Sequence, residues 1–125
     1  MTDRELLEKA AKAAGMPTLV WGGMYMVGGT EVDCTDFAYV PSASPDEAPA
    51  YWNPLDDDGD ALRLAVALGI DLEWRADGRV AAYRHATSGG FCFTAFESSR
   101  EDRAANTRRA IVRAAAAIAD QEGEA

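Results

Sequence analysis

The sequence predicts an α+β fold in which an antiparallel β-sheet carries three main helices. Two observations predict it. Three segments, near the beginning, middle and end of the 125 residues, set apolar residues at helical spacing between start and stop signals. Between them lie short β-rich runs punctuated by glycine pairs and by Asp77-Gly78, the turns that join antiparallel neighbours. The length suits one domain over residues 1–125, and 48% hydrophobic against 26% charged residues is ordinary globular composition rather than that of a disordered chain.

The first helix is expected over Thr2–Ala14. Thr2 and Glu5 make a capping box, and Leu6, Leu7, Ala10 and Ala14 make the buried stripe. Gly15 and Pro17 stop it. Thr18–Trp21 and Met24–Val27 then read as two strands joined at Gly22-Gly23 by a tight hairpin, or as one longer strand with a glycine kink. Gly28-Gly29 closes the second run, and Phe37–Val40 is a further strand. Residues 41–51 hold three of the five prolines and read as a mobile loop.

The central helix follows Trp52-Asn53-Pro54-Leu55. Asp56, Asp57, Asp58 and Asp60 complement the positive end of its dipole, and Asp60 can pair with Arg63. Its apolar residues, Ala61, Leu62, Leu64, Ala65, Val66 and Leu68, predict burial over a wide arc, and Gly69 ends it. Ile70–Arg75 alternates apolar and charged, with Trp74 facing inward, and turns at Asp77-Gly78 into Arg79–His85. A two-residue turn sets Trp74 opposite Ala81. A three-residue turn beginning at Ala76 sets Arg84 opposite Ile70. Gly89-Gly90 introduces a strand at Phe91–Phe96. Ser98 and Glu101 cap a last helix from about Arg100 to Asp120, with Ala104, Ile111, Ala115 and Ile118 as its stripe and Arg109 and Arg113 outward; the tail, 121–125, is expected to fray.

Composition narrows function. Twelve basic against 21 acidic residues give a net charge of −9, which lacks the basic footprint of a duplex nucleic-acid binder. Ten of the twelve basic residues are Arg, so a local pocket for phosphate or carboxylate remains compatible with the balance. No apolar run has the length of a membrane span, and the opening residues read as a polar helix rather than a signal peptide. Cys34 and Cys92 read as free thiols, and a single histidine, His85, excludes a His-rich metal site in one subunit. Neither a phosphate loop nor a Gly-x-Ser-x-Gly elbow is present, and no metal or cofactor is expected. The aspartate string lacks the spacing of a calcium loop.

The candidate contact residues are few. Trp21 and Trp52, beside turn or loop signals, are each either a core lid or a stacking platform for a flat ligand. Tyr83, Arg84 and His85, followed by Thr87-Ser88-Gly89-Gly90, form a polar strand end suited to an anion. Arg108 on an apolar stripe needs a partner: a carboxylate such as Glu97, a ligand phosphate or a subunit contact.

Three stretches resemble a known group of proteins: Thr2–Leu7 through Ala10–Gly15, Trp52-Asn53-Pro54-Leu55 through Asp57–Val66 and Leu68-Gly69-Ile70, and Thr107–Ala116. On these residues the chain resembles the small tailed-phage proteins grouped as the phage α/β/α sandwich domain; Thr18–Tyr51 departs most from that pattern. The resemblance implies a bacteriophage accessory protein in the cytoplasm of the infected bacterial host, and fold alone does not give its activity. The expectation drawn is a non-catalytic, homo-oligomeric binder that sequesters a host nucleotide-derived immune signal, a cyclic nucleotide or ADP-ribose derivative. Its contacts would be Trp52, Asn53, Arg63 and Arg108, from the resembling stretches, with Arg84 and His85 from strand geometry. An acidic protein that blocks a host protein by imitating DNA is the alternative, and a hydrolase built on His85 and a carboxylate stands third.

Overall fold

The computed structural model describes residues 2–44, 46–85, 91–97 and 102–123, with the strand at 91–97 given by its backbone. The fold is α+β, but among the described residues the antiparallel strands divide into three small sheets instead of one. The predicted cap at Ser98 and Glu101, and the residues Thr87–Gly90, lie outside the described residues.

Helix α1 spans Asp3–Ala13. The Thr2 hydroxyl accepts the Glu5 N–H at 3.2 Å, one arm of the expected capping box. At the other end Gly15 takes φ +72°, and the N–H groups of Gly15 and Met16 close on the carbonyls of Lys12 and Ala11. That double closure satisfies carbonyls the helix would otherwise leave bare.

Gly22-Gly23 is not a hairpin turn. Strand β1 (Val20–Trp21) runs on through the glycines into β2 (Met24–Val27), and the chain reverses at Gly28-Gly29 into β3 (Thr30–Asp33). Both turn glycines have positive φ, +58° and +82°, as a two-residue hairpin loop demands. The returning chain reaches β4 (Ala38–Val40), which pairs with β1, and β5 (Ala50–Tyr51) adds to β4. Between the paired segments the Gly22 N–H donates to Phe37 O and the Gly23 carbonyl accepts from Cys34 N–H, both at 2.9 Å. This is the kinked long strand of the second reading. A side chain at Gly22 would collide with the Cys34 carbonyl, which explains a glycine at the kink.

Helix α2 spans Asp58–Leu68, capped by the Asp57 carboxylate, which accepts the Asp60 N–H at 2.7 Å. Gly69 at φ +67° ends it, and Ile70 N–H reaches back to Ala65 O. The wide buried arc is not realised: Ala61, Leu64 and Ala65 are buried, while Leu62 and Val66 are 61% and 73% exposed. Helix α2 meets the core along one stripe, so the neighbouring face stays in solvent.

The third sheet orders β6 (Asp71–Trp74), β7 (Val80–His85) and β8 (Phe91–Glu97) side by side. Leu72 opposes Ala82 and Trp74 opposes Val80, the register of the three-residue turn. Gly78 at φ +90° donates to Arg75 O, and Arg75 N–H donates to Arg79 O at 2.8 Å, closing that loop. Trp74 points to the α3 side as expected, its indole N–H donating to the Thr107 hydroxyl at 3.0 Å, but at the sheet edge it stays 52% exposed.

Helix α3 (Arg103–Gly123) is the centre of the molecule. It packs on β7 and β8 and carries α1 and α2 against its other sides. The helices thus gather on α3 rather than all on one sheet. Ala110, Ile111, Val112, Ala114, Ala115, Ala116, Ile118 and Ala119 are all buried, facing Leu6, Leu7, Ala10 and Ala11 of α1 and Leu64 and Ala65 of α2. The predicted stripe holds except at Ala104, which is exposed. Asp3–Arg109 and Lys9–Asp120 ion pairs, at 3.2 and 2.7 Å, set α1 and α3 running in the same direction. No helix among the described residues is long and apolar enough to cross a membrane.

Two predictions follow from the turns. Gly22→Ala should destabilise the protein by about 1–3 kcal/mol through overpacking, whereas Gly23→Ala, whose new methyl meets nothing, should stay within about 0.5 kcal/mol; urea unfolding of both variants decides it. The backbone N–H of Arg79 holds the Asp77 carboxyl below its ordinary pKa, aided by the Arg79 side chain. A depressed folded pKa means the turn's contribution is present above the ordinary carboxylate range and is lost as pH falls through the lower folded value. An NMR titration should therefore give Asp77 a midpoint below that of a free aspartate, with the Arg79 amide moving in step.

Candidate functional site

The side chains expected to form one site fall into two regions, and most are engaged within the protein. Trp52 is 8% exposed and belongs to the core, so it serves as the lid of the small domain and offers no open face for stacking. Its neighbour Asn53 organises the approach to α2. The Asn53 side-chain oxygen accepts Leu55 N–H at 3.0 Å, and its backbone N–H donates to the buried Asp60 carboxylate at 3.0 Å. The other oxygen of Asp60 takes Arg63 at 2.7 Å, the i,i+3 pair expected from sequence. Arg63 itself is 72% exposed on its side chain.

Arg108 finds its partners at the same corner. Its Nε donates to Leu55 O at 2.9 Å and its terminal nitrogen to Asp58 at 2.6 Å. The carboxylate that compensates it is therefore Asp58, at the start of α2, where the sequence suggested Glu97. Arg108 ties α3 to the α2 N-terminus. Residues 52–60 thus bring Trp52, Asn53, Arg63 and Arg108 to one corner of the fold, held there by the protein's own carboxylates. Arg84 and His85 stand apart, at the β7 end where the ladder to β8 is irregular; the His85 side chain lies outside the described residues.

A cleft of about 550 Å³ opens on the other side of Asn53. It lies between the first turn of α1, the β1–β4 pair and the turn before α2, and Arg109 of α3 closes one flank. Its size is that of a small-molecule site. Trp21 and Phe37 bring aromatic surface to it. Arg4 stacks over the Trp21 ring at 4.5 Å, and the Trp21 indole N–H donates to Glu8 at 3.1 Å. A guanidinium over an indole face is attractive, and here the pair holds both groups at the cleft. Phe37 is half exposed and meets Tyr51 edge-on at 5.7 Å. Tyr51 in turn accepts the Asn53 amide N–H at 3.3 Å.

Charge in this lining is mixed. Arg4 and Arg109 face Asp3, Asp36 and Asp56, so the residues sum to −1. Such a cleft suits a flat ligand with one or two anionic groups better than a polyphosphate. An incoming anion would compete with Asp3 for Arg109 and with Glu8 for Arg4. Among the described residues no cluster of His, Cys, Asp and Glu could hold a metal ion.

Of the expected residues only Asn53 lines the cleft. Sequence alone offers Trp21 as a possible platform and gives Arg4, Phe37 and Arg109 no ligand role. Trp21 beside turn signals was the one available hint, and Arg109 reads from helical spacing as simply outward.

Comparison with protein-family models matches no family, and neither the curated proteins nor the solved structures contain a match to this chain. The functional reading therefore rests on the residues themselves.

The corner at Asp60 yields a contrast. Asp60→Ala removes the acceptor of a part-buried backbone N–H and of Arg63, and should cost about 1–3 kcal/mol. Arg63→Ala removes only an exposed partner and should cost at most about 1 kcal/mol. Equal losses in thermal or urea unfolding would contradict the assigned roles.

Proposed function

We propose that the protein is a non-catalytic binding protein whose ligand is a small nucleotide-derived signal, held in the cleft between α1, the β1–β4 pair and residues 53–56. The observation that carries this reading is the Arg4–Trp21 stack facing Arg109 across an open cleft of ligand size. The half-buried Trp21 indole and the more exposed Phe37 ring beside two guanidiniums combine aromatic surface for a base with donors for phosphate. The N-terminus of α1 adds partial positive charge at the same mouth. The mixed lining points to a cyclic mononucleotide, a cyclic dinucleotide or a cyclic ADP-ribose derivative, in which one or two phosphates accompany a flat ring. With the resemblance to phage sandwich-domain proteins, the biological role proposed is counter-defence: removal of a host immune signal in the cytoplasm of the infected bacterium. Asn53 is the contact retained from the sequence; Arg4, Trp21, Phe37 and Arg109 join it.

A second reading, a protein that blocks a host protein, has its own support. The β2–β3 hairpin exposes Met24, Met26 and Val27, with Glu31 and Asp33 on the paired strand. An acidic, methionine-bearing arm is an adaptable protein-contact surface.

Isothermal titration against cyclic mono- and dinucleotides and cyclic ADP-ribose derivatives, with each ligand recovered by heating and chromatographed, separates the readings. Binding with intact release is expected, weakened about tenfold or more by Arg4→Ala and by Arg109→Ala. Recovery of a changed product would make the protein an enzyme. No binding to any of these ligands would transfer the proposal to the hairpin and a host protein.

A further inference from the structure

The cleft holds more acceptor than the protein itself uses. Its two guanidiniums are engaged, Arg109 with Asp3 at 3.2 Å and Arg4 with Glu8 at 3.4 Å. Most aspartates nearby are engaged as well. Asp33 accepts the Thr35 N–H and hydroxyl at 2.9 and 2.6 Å. Asp57, Asp58 and Asp60 serve the α2 cap, Arg108 and the Asn53–Arg63 corner. Asp36 and Asp56 differ. Both line the cleft, both are exposed, and among the described residues neither carboxylate has a hydrogen-bond or ion partner. Asp56 stands one residue ahead of the α2 N-cap, where the positive end of the helix dipole compensates it. Asp36 has no such compensation. It sits on the turn closed by the Phe37 N–H to Cys34 O at 3.0 Å, and its neighbour Phe37 brings an exposed ring to the same cleft.

A ligand that fills the cleft covers the Asp36 carboxylate, and covering a charged group without a donor is costly. The ligand therefore needs donors on its flat ring besides its anionic groups. We propose that the ring is guanine, with its N1–H and 2-amino N–H donated to the two oxygens of Asp36. The inference rests on the reading of the cleft as a nucleotide site and narrows that reading to one base. The base edges decide it. Guanine sets two donors side by side, which matches the two acceptor oxygens of an ionised carboxylate, and such charge-assisted bonds are about twice as strong as neutral ones. Adenine sets its amine beside N1, an acceptor, so one bond forms and one lone pair faces a carboxylate oxygen. Cytosine sets a donor beside an acceptor in the same way, and uracil flanks its single N–H with two carbonyls. Phosphate remains with Arg4 and Arg109, and Asp36 is the residue that determines the base.

Isothermal titration of the full chain with cyclic GMP, cyclic IMP and cyclic AMP, and with cyclic di-GMP against cyclic di-AMP, tests it. The members of each series carry the same charge, so the arginines contribute alike and the ratio of affinities reports the base. The wild type should bind the guanine member about tenfold or more tighter than the adenine member. Cyclic IMP, which keeps N1–H and lacks the 2-amino group, should fall between them. Asp36→Asn should bring the guanine and adenine members within about threefold of one another. Asp36 is exposed and unpartnered, so this variant should keep its fold, as circular dichroism checks. Equal affinity of the wild type for the guanine and adenine members would overturn the guanine assignment and leave the nucleotide reading standing. So would tighter binding of the adenine member or of cyclic ADP-ribose. A ratio lost in Asp56→Asn and kept in Asp36→Asn would overturn the role given to Asp36. No binding of any of these ligands would overturn the inference together with the reading on which it rests.

Discussion

The burial of α3 is the constraint on which the rest of the structure depends. Its alanines are small enough for α1 and α2 to approach the helix closely from two sides while β7 and β8 close a third. Helix formation in isolation is marginal, and an amphipathic stripe usually supplies the missing stabilisation. Here the stripe has widened into most of the circumference between residues 110 and 119. Alanine contributes little apolar area of its own, but it has the highest helix propensity and loses no side-chain entropy on burial. The larger residues Ile111, Val112 and Ile118 fill what remains.

That central position decides where polar groups can gather. Arg108 and Arg109 are neighbours on α3, yet they emerge on different sides of the helix. Arg108 is drawn to Asp58 and Leu55 at the start of α2, and Arg109 to Asp3 at the start of α1. The first arginine stitches the fold, and the second flanks the cleft. The exposed half of the first turn of α1 brings Arg4 to the same opening, and the kinked strand brings Trp21 beneath it. A site thus arises where two helix starts and one strand converge around a helix that none of them could bury alone.

Much of the fold was legible because local signals agreed with the tertiary outcome. Thr2, Gly15, Asp57 and Gly69 mark their helix ends in the sequence and in the structure alike. At Gly22-Gly23 the sequence leaves a hairpin and a kinked strand open, because two glycine pairs each permit positive φ, and only the pairing partners, Phe37 and Cys34, select the second pair as the turn. The exposure of Leu62, Val66 and Trp74 could not be read from periodicity, since apolar residues left in solvent and apolar residues packed in a core look the same along a chain. The site was less legible still. Arg63 and Arg108 are satisfied by nearby carboxylates whose proximity is a product of the fold, and Trp52 is fixed as core by the packing around it. The groups that line the cleft are far apart in sequence, from Arg4 to Arg109, and no spacing rule connects them.

The three tryptophans report on three different places: Trp21 in the cleft, Trp52 in the core and Trp74 at the sheet edge. A nitrogen-15 correlation spectrum of their indole N–H groups, recorded while a cyclic dinucleotide or cyclic ADP-ribose is added, tests the central claim directly. The Trp21 signal should move, since the ligand would disturb its bond to Glu8 and the Arg4 stack, while the Trp52 and Trp74 signals stay in place. A Trp21 signal that holds still while ligand binds, or a shift confined to Trp74, would contradict the assignment of the cleft.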